Sequence, residues 1–161
     1  MSSTRHVVTT AICCILFLVV TTRMHAGFMA LMMLPFLAIW CLSCAWTMWR
    51  QPGRRRQQTI KLLMWGAALG IVAAVHLYYA HAARQDAGRA LAAITEYRIR
   101  HKAYPATLAQ AGLDQAALKK RWMLSYVLDA GRPQLVYAVT FTAFETWSYD
   151  FATSKWVYRP D

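Results

Sequence analysis

Long apolar runs fill the first half of the chain, and a mixed polar pattern takes over near residue 82. Because a helix of about 20 apolar residues crosses a bilayer, the runs predict three membrane spans at about 6–22, 27–49 and 60–82. The first run is the shortest. It needs the side chains of Arg5 and Arg23 to extend towards the two membrane surfaces.

The first run also fits a secretory signal peptide, with Arg5 ahead of the apolar stretch and a cleavage site before Gly27. Cleavage there would place Met24 and Ala26 at the positions where small residues are needed, and Met24 is a poor fit. We therefore expect a retained first helix and keep the signal peptide as the alternative. The orientation of the second and third spans is the same in both cases.

Beyond the third run the helical period continues without a break, so we predict one helix from about Ile60 to His101. Tyr104-Pro105 should end it, because the residue before a proline avoids helical angles. A short helical turn at 107–111 should point Leu108 inwards and close at Gly112. The predicted buried face of the helix consists of Ala83, Ala87, Ala90, Leu91, Ile94 and Tyr97.

After residue 121 the period changes to two, which predicts strands at about 122–129, 135–141, 145–151 and 155–158. The first two strands should be joined by a turn at 129–133. The expected fold is a membrane α+β protein, with three transmembrane helices and the third continuing into a long helix packed on a small antiparallel sheet. Its domains are a three-span membrane domain, 1–82, and an outer domain, 83–161.

The charges are distributed unevenly along the 161 residues. Only 16% of the residues are charged and the formal net charge is +11, whereas soluble domains carry about 25% charged residues. All seven acidic residues lie at or after Asp86, so the positive excess belongs to the membrane half. Since no soluble element combines a basic stripe with interleaved aromatic residues, we expect no nucleic-acid partner.

Five basic residues cluster between the second and third spans and predict the topology, because short loops rich in Lys and Arg stay in the cytoplasm. We therefore expect the inner membrane of a bacterial cell, with a cytoplasmic N-terminus and a periplasmic outer domain. The predicted topology determinants are Arg50, Arg54, Arg55, Arg56 and Lys61.

The residues that usually carry chemistry are scattered, so we predict no catalytic, cofactor or metal site and no enzyme. All four cysteines lie inside apolar runs and are expected to act as small apolar side chains. His76 and His81 should point about 140° apart on a helix. Asp86 is expected on a solvated helix face near the outer membrane surface, paired with Arg89 or with lipid head groups. The third span contains a G-x-x-x-G pattern, which should contact the chain's own other spans.

A run of spaced residues in the outer half resembles type IV pilins and type II secretion pseudopilins. The likeness covers about residues 60–161 and comprises Ala93, Tyr97, Tyr104-Pro105, Leu108, Tyr149-Asp150 and Trp156. In those families a membrane-embedded helix becomes amphipathic outside the membrane and packs on an antiparallel sheet. This chain departs from them at Met32, which stands where a processed pilin has Glu after the Gly27 site. The resemblance therefore implies a pilin-like domain in a polytopic protein that is not cut after Gly27.

Aromatic residues are concentrated on the predicted strands, and part of this set should be exposed for binding a protein partner. The candidate partner-binding residues are Trp147, Tyr149, Trp156 and Tyr158. With the resemblance, they predict an accessory protein of a type IV pilus or related secretion system that binds pilin-like subunits. The alternative, from a different class, is a membrane immunity protein that binds a pore-forming or periplasm-acting toxin. The oligomeric state is left open.

Overall fold

The structure is a computed structural model that describes residues 2–142 and 144–160, with side chains from Val7 onwards. The side chain of Arg5, expected at the membrane surface, lies outside the described residues. The helices are α1 (Ser2–Thr21), α2 (Gly27–Arg50), α3 (Arg55–His101) and α4 (Gln115–Trp122), with 3₁₀ turns at Pro52–Arg54 and Leu108–Ala111. The strands are β1 (Ser125–Asp129), β2 (Arg132–Ala138), β3 (Thr146–Asp150) and β4 (Lys155–Arg159).

The chain divides into two compact units between Leu77 and Tyr78. We call the part up to Leu77 the N-terminal unit and the part from Tyr78 the C-terminal unit. Helix α3 is continuous through the division and ends at His101, where the sequence predicted. The predicted α+β class, with one long helix and a small antiparallel sheet, is confirmed.

The N-terminal unit packs α1, α2 and the first half of α3 around a small apolar core. Phe17 of α1, Ala30 of α2 and Val72 of α3 are all buried in it. Among the described residues, two helical stretches, Gly27–Arg50 and Pro52–His101, are long and apolar enough to cross a membrane. The apolar part of α1, Val7–Thr21, is shorter.

The G-x-x-x-G pattern of α3 does not lie against another helix in the described part of the chain. A Cβ atom added at Gly66 or Gly70 would meet no atom within 4 Å. The expected contact between these glycines and the chain's own spans is therefore wrong. The helices of the N-terminal unit meet α3 on another face, which includes Ala68 and Val72.

In the C-terminal unit, α3 buries the face that the sequence predicted. Ala83, Ala87, Ala90 and Ile94 have no exposed surface, and Leu108 is equally buried. The helix ends at His101, four residues before Pro105. Lys102 adopts a left-handed conformation with φ of 58°, and its N–H donates to the carbonyl of Arg98 at 2.9 Å. Gly112, with φ of 79°, closes the following 3₁₀ turn as predicted.

Helix α4 was not predicted, and the first strand is shorter at its start than expected. The side chain of Asp114 caps α4 by accepting a hydrogen bond from the N–H of Ala117 at 3.0 Å. Trp122, predicted as the first strand residue, is the last residue of the helix. Met123 then turns the chain through a left-handed conformation with φ of 53°, so that Trp122 and Leu124 still both face the core.

The sheet is an antiparallel meander in the order β1-β2-β3-β4. A two-residue loop joins β1 to β2, with positive φ at both Ala130 and Gly131, which is the geometry that suits the twist of a hairpin. Strand β2 ends at Ala138, earlier than predicted. Beyond it, Thr140 is buried while Phe141 is exposed, so residues 139–141, which were predicted as the end of this strand, lie outside β2.

Candidate protein-binding site on the β3–β4 hairpin

The structure brings the four candidate partner-binding residues together on one face of the β3–β4 hairpin. Trp147 lies directly opposite Tyr158 across the two strands, and Tyr149 lies opposite Trp156. Their ring centroids are 5.4 Å and 5.2 Å apart, respectively. Aromatic pairs of this kind stabilise neighbouring strands, so the hairpin carries a block of four rings.

This block lies on the same face of the sheet as the core. Tyr149 pairs with Leu135 of β2, and Trp147 pairs with Tyr137; both β2 side chains are buried. Burial falls from β2 towards β4: Trp147, Tyr149 and Trp156 are half-buried, and Tyr158 is 41% exposed. The aromatic block therefore continues the buried face of the sheet from β2 towards the more exposed strand β4.

Five rings form a continuous row from β2 to the loop after α3. The centroid distances along it are 5.3 Å from Tyr137 to Trp156, 5.2 Å to Tyr149, 4.9 Å to Phe151 and 5.5 Å to Tyr104. Edge-to-face pairs at such distances add stability beyond the area that they bury. Two arginines of α3 lie at the two ends of this row.

The arginine at one end is Arg98, whose guanidinium carbon lies 4.7 Å from the centroid of the Tyr104 ring, a cation–π contact. The arginine at the other end is Arg84, whose guanidinium interacts with the Tyr137 hydroxyl. Burial raises the pKa of Tyr137, and the contact with Arg84 opposes this rise. The row is thus fixed to α3 at both ends.

Tyr158, the most exposed ring of the block, is held by a carboxylate. The interaction between its hydroxyl and the Glu145 carboxylate raises the pKa of Tyr158 and lowers that of Glu145. The hydroxyl of Thr142 also donates to Glu145, at 2.7 Å, and the N–H of Val139 donates to its carbonyl at 2.8 Å. These contacts restrict the Glu145 carboxylate beside the Tyr158 ring.

The two edges of the sheet differ. On β1, the side-chain amide of Gln115 from α4 donates to the carbonyl of Tyr126 at 3.4 Å, so a neighbouring element occupies that edge. On the opposite edge lies β4, whose residues Lys155, Val157 and Arg159 are exposed. An exposed edge strand presents backbone donors and acceptors that another chain can pair with.

Sequence reasoning missed the residue that ties α3 to α4. The Asp86 side chain, expected on a solvated face, is only 13% exposed. It accepts hydrogen bonds from Arg89 at 2.9 Å, as predicted, and from the indole N–H of Trp122 at 2.6 Å. Arg121 lies 3.7 Å from the same carboxylate. A carboxylate next to the core, 36 residues before its indole partner, leaves no local signal in the sequence.

Asp86 lies in a mixed cluster of acidic and basic side chains. A cavity of about 280 Å³ lies beside it, and its charged lining comprises Asp86, Asp114, Arg89 and Arg121. The acids and bases there compensate one another, as in a structural ion-pair cluster. Within the described residues, no three His, Cys, Asp or Glu side chains come together to hold a metal.

Four of the five predicted topology determinants are exposed, and the fifth lines a groove. Arg50 lies over the Trp46 ring at 4.7 Å, and Arg55 donates to the carbonyl of Met48 at 3.1 Å, capping the end of α2. Arg54 and Arg56 are exposed. Lys61, by contrast, is half-buried and lines a groove between α1, α2 and α3.

No protein-family model, curated protein or solved structure matches this chain.

Proposed function

We propose that this chain is an inner-membrane accessory protein of a type IV pilus or related secretion system. In this proposal its periplasmic C-terminal unit binds pilin-like subunits through the β3–β4 hairpin. The observation that carries the proposal is the aromatic block that ends at Tyr158, beside the exposed edge strand β4. Aromatic residues are enriched in protein interfaces, and extended segments of partner proteins add to exposed sheet edges.

Membrane anchoring is supported by the surface of the N-terminal unit. Phe36, Leu42 and Leu63 are 69%, 71% and 67% exposed. So large an apolar surface is unfavourable in water but matches lipid. Helix α2 has 24 residues and a length of about 36 Å, enough to cross a hydrocarbon core of about 30 Å. In this proposal α1 is the third, shorter span.

The orientation is supported by the basic loop between α2 and α3, because short loops rich in Lys and Arg stay in the cytoplasm. Trp46 and Trp49, 55% and 70% exposed, stand beside it as an interfacial aromatic pair. Alkaline phosphatase fused after Asp161 should be active, and a fluorescent protein fused there should be dark. Fusions after Arg54 should give the opposite pattern. The reverse results at both sites would refute the topology.

A pilin-like partner is supported by the order of elements in the C-terminal unit. A long helix ends just before Tyr104-Pro105, and an antiparallel meander follows, which is the order found in pilins and pseudopilins. In the proposal this unit lies in the compartment where pilin domains fold and meets them there.

Site-specific photocrosslinking in cells tests the partner. A benzophenone amino acid at position 158 should capture a protein whose sequence carries a prepilin leader. Position 157 is the matched control, because Val157 and Tyr158 are equally exposed, at 41%, and point to opposite faces of β4. Capture of a toxin at position 158 would favour the immunity function instead. Equal capture of the same protein at both positions would refute the hairpin face as the binding surface.

A further inference from the structure

A groove of about 470 Å³ runs between α1, α2 and α3 in the N-terminal unit. Its walls are aromatic: the Trp65 ring of α3 lies 5.3 Å from Phe17 of α1 and 6.3 Å from Trp40 of α2. Phe36, which is 69% exposed, extends the wall along α2. The volume of the groove is in the range of small-molecule sites. Its aromatic lining suits contact with an apolar chain.

One basic side chain, Lys61, enters this apolar lining. Burying an ammonium group is costly unless an anion compensates it. The first 85 residues contain no Asp or Glu, so no side chain of the N-terminal unit can supply that anion. Lys61 is half-buried in the groove, so an anion that compensates its charge there would come from outside the unit.

The position of Lys61 along α3 indicates what that anion is. Lys61 lies six residues after the start of the helix at Arg55, about 9 Å along its axis. It is therefore close to the basic loop, at the membrane surface that the positive-inside rule assigns to the cytoplasm. The hydroxyl-bearing residues Thr9 and Thr10 line the same groove. At this depth the available anions with attached apolar chains are the phosphates of membrane lipids.

We propose that the groove binds one anionic glycerophospholipid, with the phosphate on Lys61 and an acyl chain along Trp40 and Trp65. Charge complementarity selects this occupant, since the groove has a cationic end and apolar walls. The inference rests on the membrane insertion in the proposed function, but not on the binding of pilin-like subunits. The lipid would bridge all three helices and stabilise the N-terminal unit in its assembled form.

Native mass spectrometry of the detergent-purified full chain tests this inference, with phosphatidylglycerol and phosphatidylcholine as probes. Phosphatidylglycerol should bind at least about tenfold more tightly, because it keeps a net negative charge, whereas the choline ammonium of phosphatidylcholine offsets its phosphate and repels Lys61. Lys61→Gln should remove that preference, whereas Lys61→Arg should keep it. Arg54→Gln is the matched control, because it loses the same charge from an exposed loop position outside the groove, and it should keep the preference.

Three results would overturn the lipid site. The first is equal binding of the two lipids by the unaltered chain. The second is an equal loss of preference in the Lys61→Gln and Arg54→Gln variants, which would indicate only a general attraction to the basic surface. A disulfide-linked dimer formed through Phe36→Cys would assign the groove to a second copy and also overturn it. If the chain were soluble without detergent, the membrane insertion in the proposed function would be refuted. A failure of the lipid site alone can therefore be distinguished from a failure of the proposed function.

Discussion

The indole N–H of Trp122 donates a 2.6 Å hydrogen bond to Oδ2 of Asp86, and this contact joins the last residue of α4 to the long helix α3. Trp122 is almost fully buried, so its N–H has little access to water. Hydrogen bonds to a charged acceptor are stronger than neutral ones, and the loss of such a partner leaves a buried donor unsatisfied. The carboxylate therefore fixes α4 beside α3.

Replacing Asp86 should destabilise the C-terminal unit. We expect Asp86→Ala to lower the free energy of unfolding by about 2–3 kcal/mol, because the Trp122 indole loses its acceptor. Asp86→Asn, which can still accept that hydrogen bond, should cost less. Denaturant unfolding of the detergent-purified chain, followed by near-UV circular dichroism, measures both.

The control for Asp86 is Glu96→Gln, which disrupts the exposed pair between Glu96 and Arg100. Exposed pairs on a helix contribute only about 0.3–0.5 kcal/mol, so this variant should unfold close to the unaltered chain. Asp86→Ala and Glu96→Gln variants of equal stability would contradict a structural role for the Asp86–Trp122 contact.

The elements of the C-terminal unit could be predicted from the sequence where the alternation of apolar and polar residues extends over many positions. The buried face of α3 and the hairpin at Ala130-Gly131 follow from local patterns. Helix α4 was missed because Trp122, its last residue, and Leu124, which follows it, are both buried. Two buried residues at this spacing look like the alternating pattern of a strand. The cap residue Asp114 and the basic last turn of α4 were the signals that could have revealed it.

The candidate site could be predicted only in part. The period of two placed the ring pairs of β3 and β4 on a common face. The sequence did not show that this face is also the face that packs on α3. That depends on the pairing of the strands, which places Tyr149 opposite the buried Leu135. Long-range partners such as Asp86 and Trp122, or Lys61 and the groove around Trp65, depend on tertiary packing that no local pattern encodes.

Two glycines should respond in opposite directions to replacement by alanine. Gly88 lies in the middle of α3, is exposed, and has open space around it, so Gly88→Ala should stabilise the chain by up to about 1 kcal/mol. Gly131 has φ of 78°, a conformation that costs a residue with a side chain about 1–2 kcal/mol, so Gly131→Ala should destabilise it. Thermal unfolding compares the two, and a shift of the same sign in both would contradict these backbone assignments.

Tyr126 should ionise at unusually high pH. Burial, with a smaller effect from nearby Tyr104, raises its pKa from 10 to about 12, and its hydroxyl donates to the carbonyl of Pro105 at 2.8 Å. Because the folded pKa is the higher one, this contribution to stability is complete below pH 10 and is lost as the pH rises towards 12.

Difference absorbance at 295 nm, comparing the chain with its Tyr126→Phe variant, follows this ionisation. We expect the tyrosine signal assigned to position 126 to appear near pH 12, together with unfolding. A normal transition near pH 10, with the fold intact, would contradict the burial of this hydroxyl.

The retained first helix can be tested through His76. Its Nε2 lies 2.8 Å from the carbonyl oxygen of Thr21 at the end of α1, where helix carbonyls lack intrahelical partners. Since a carbonyl only accepts, Nε2 donates. His76→Phe should therefore destabilise the chain by about 1–3 kcal/mol, while His81→Phe, at an exposed position, should be nearly neutral. A cleaved signal peptide would remove Thr21. The two variants would then unfold alike, and mass spectrometry of the purified protein would find a chain that lacks residues 1–26.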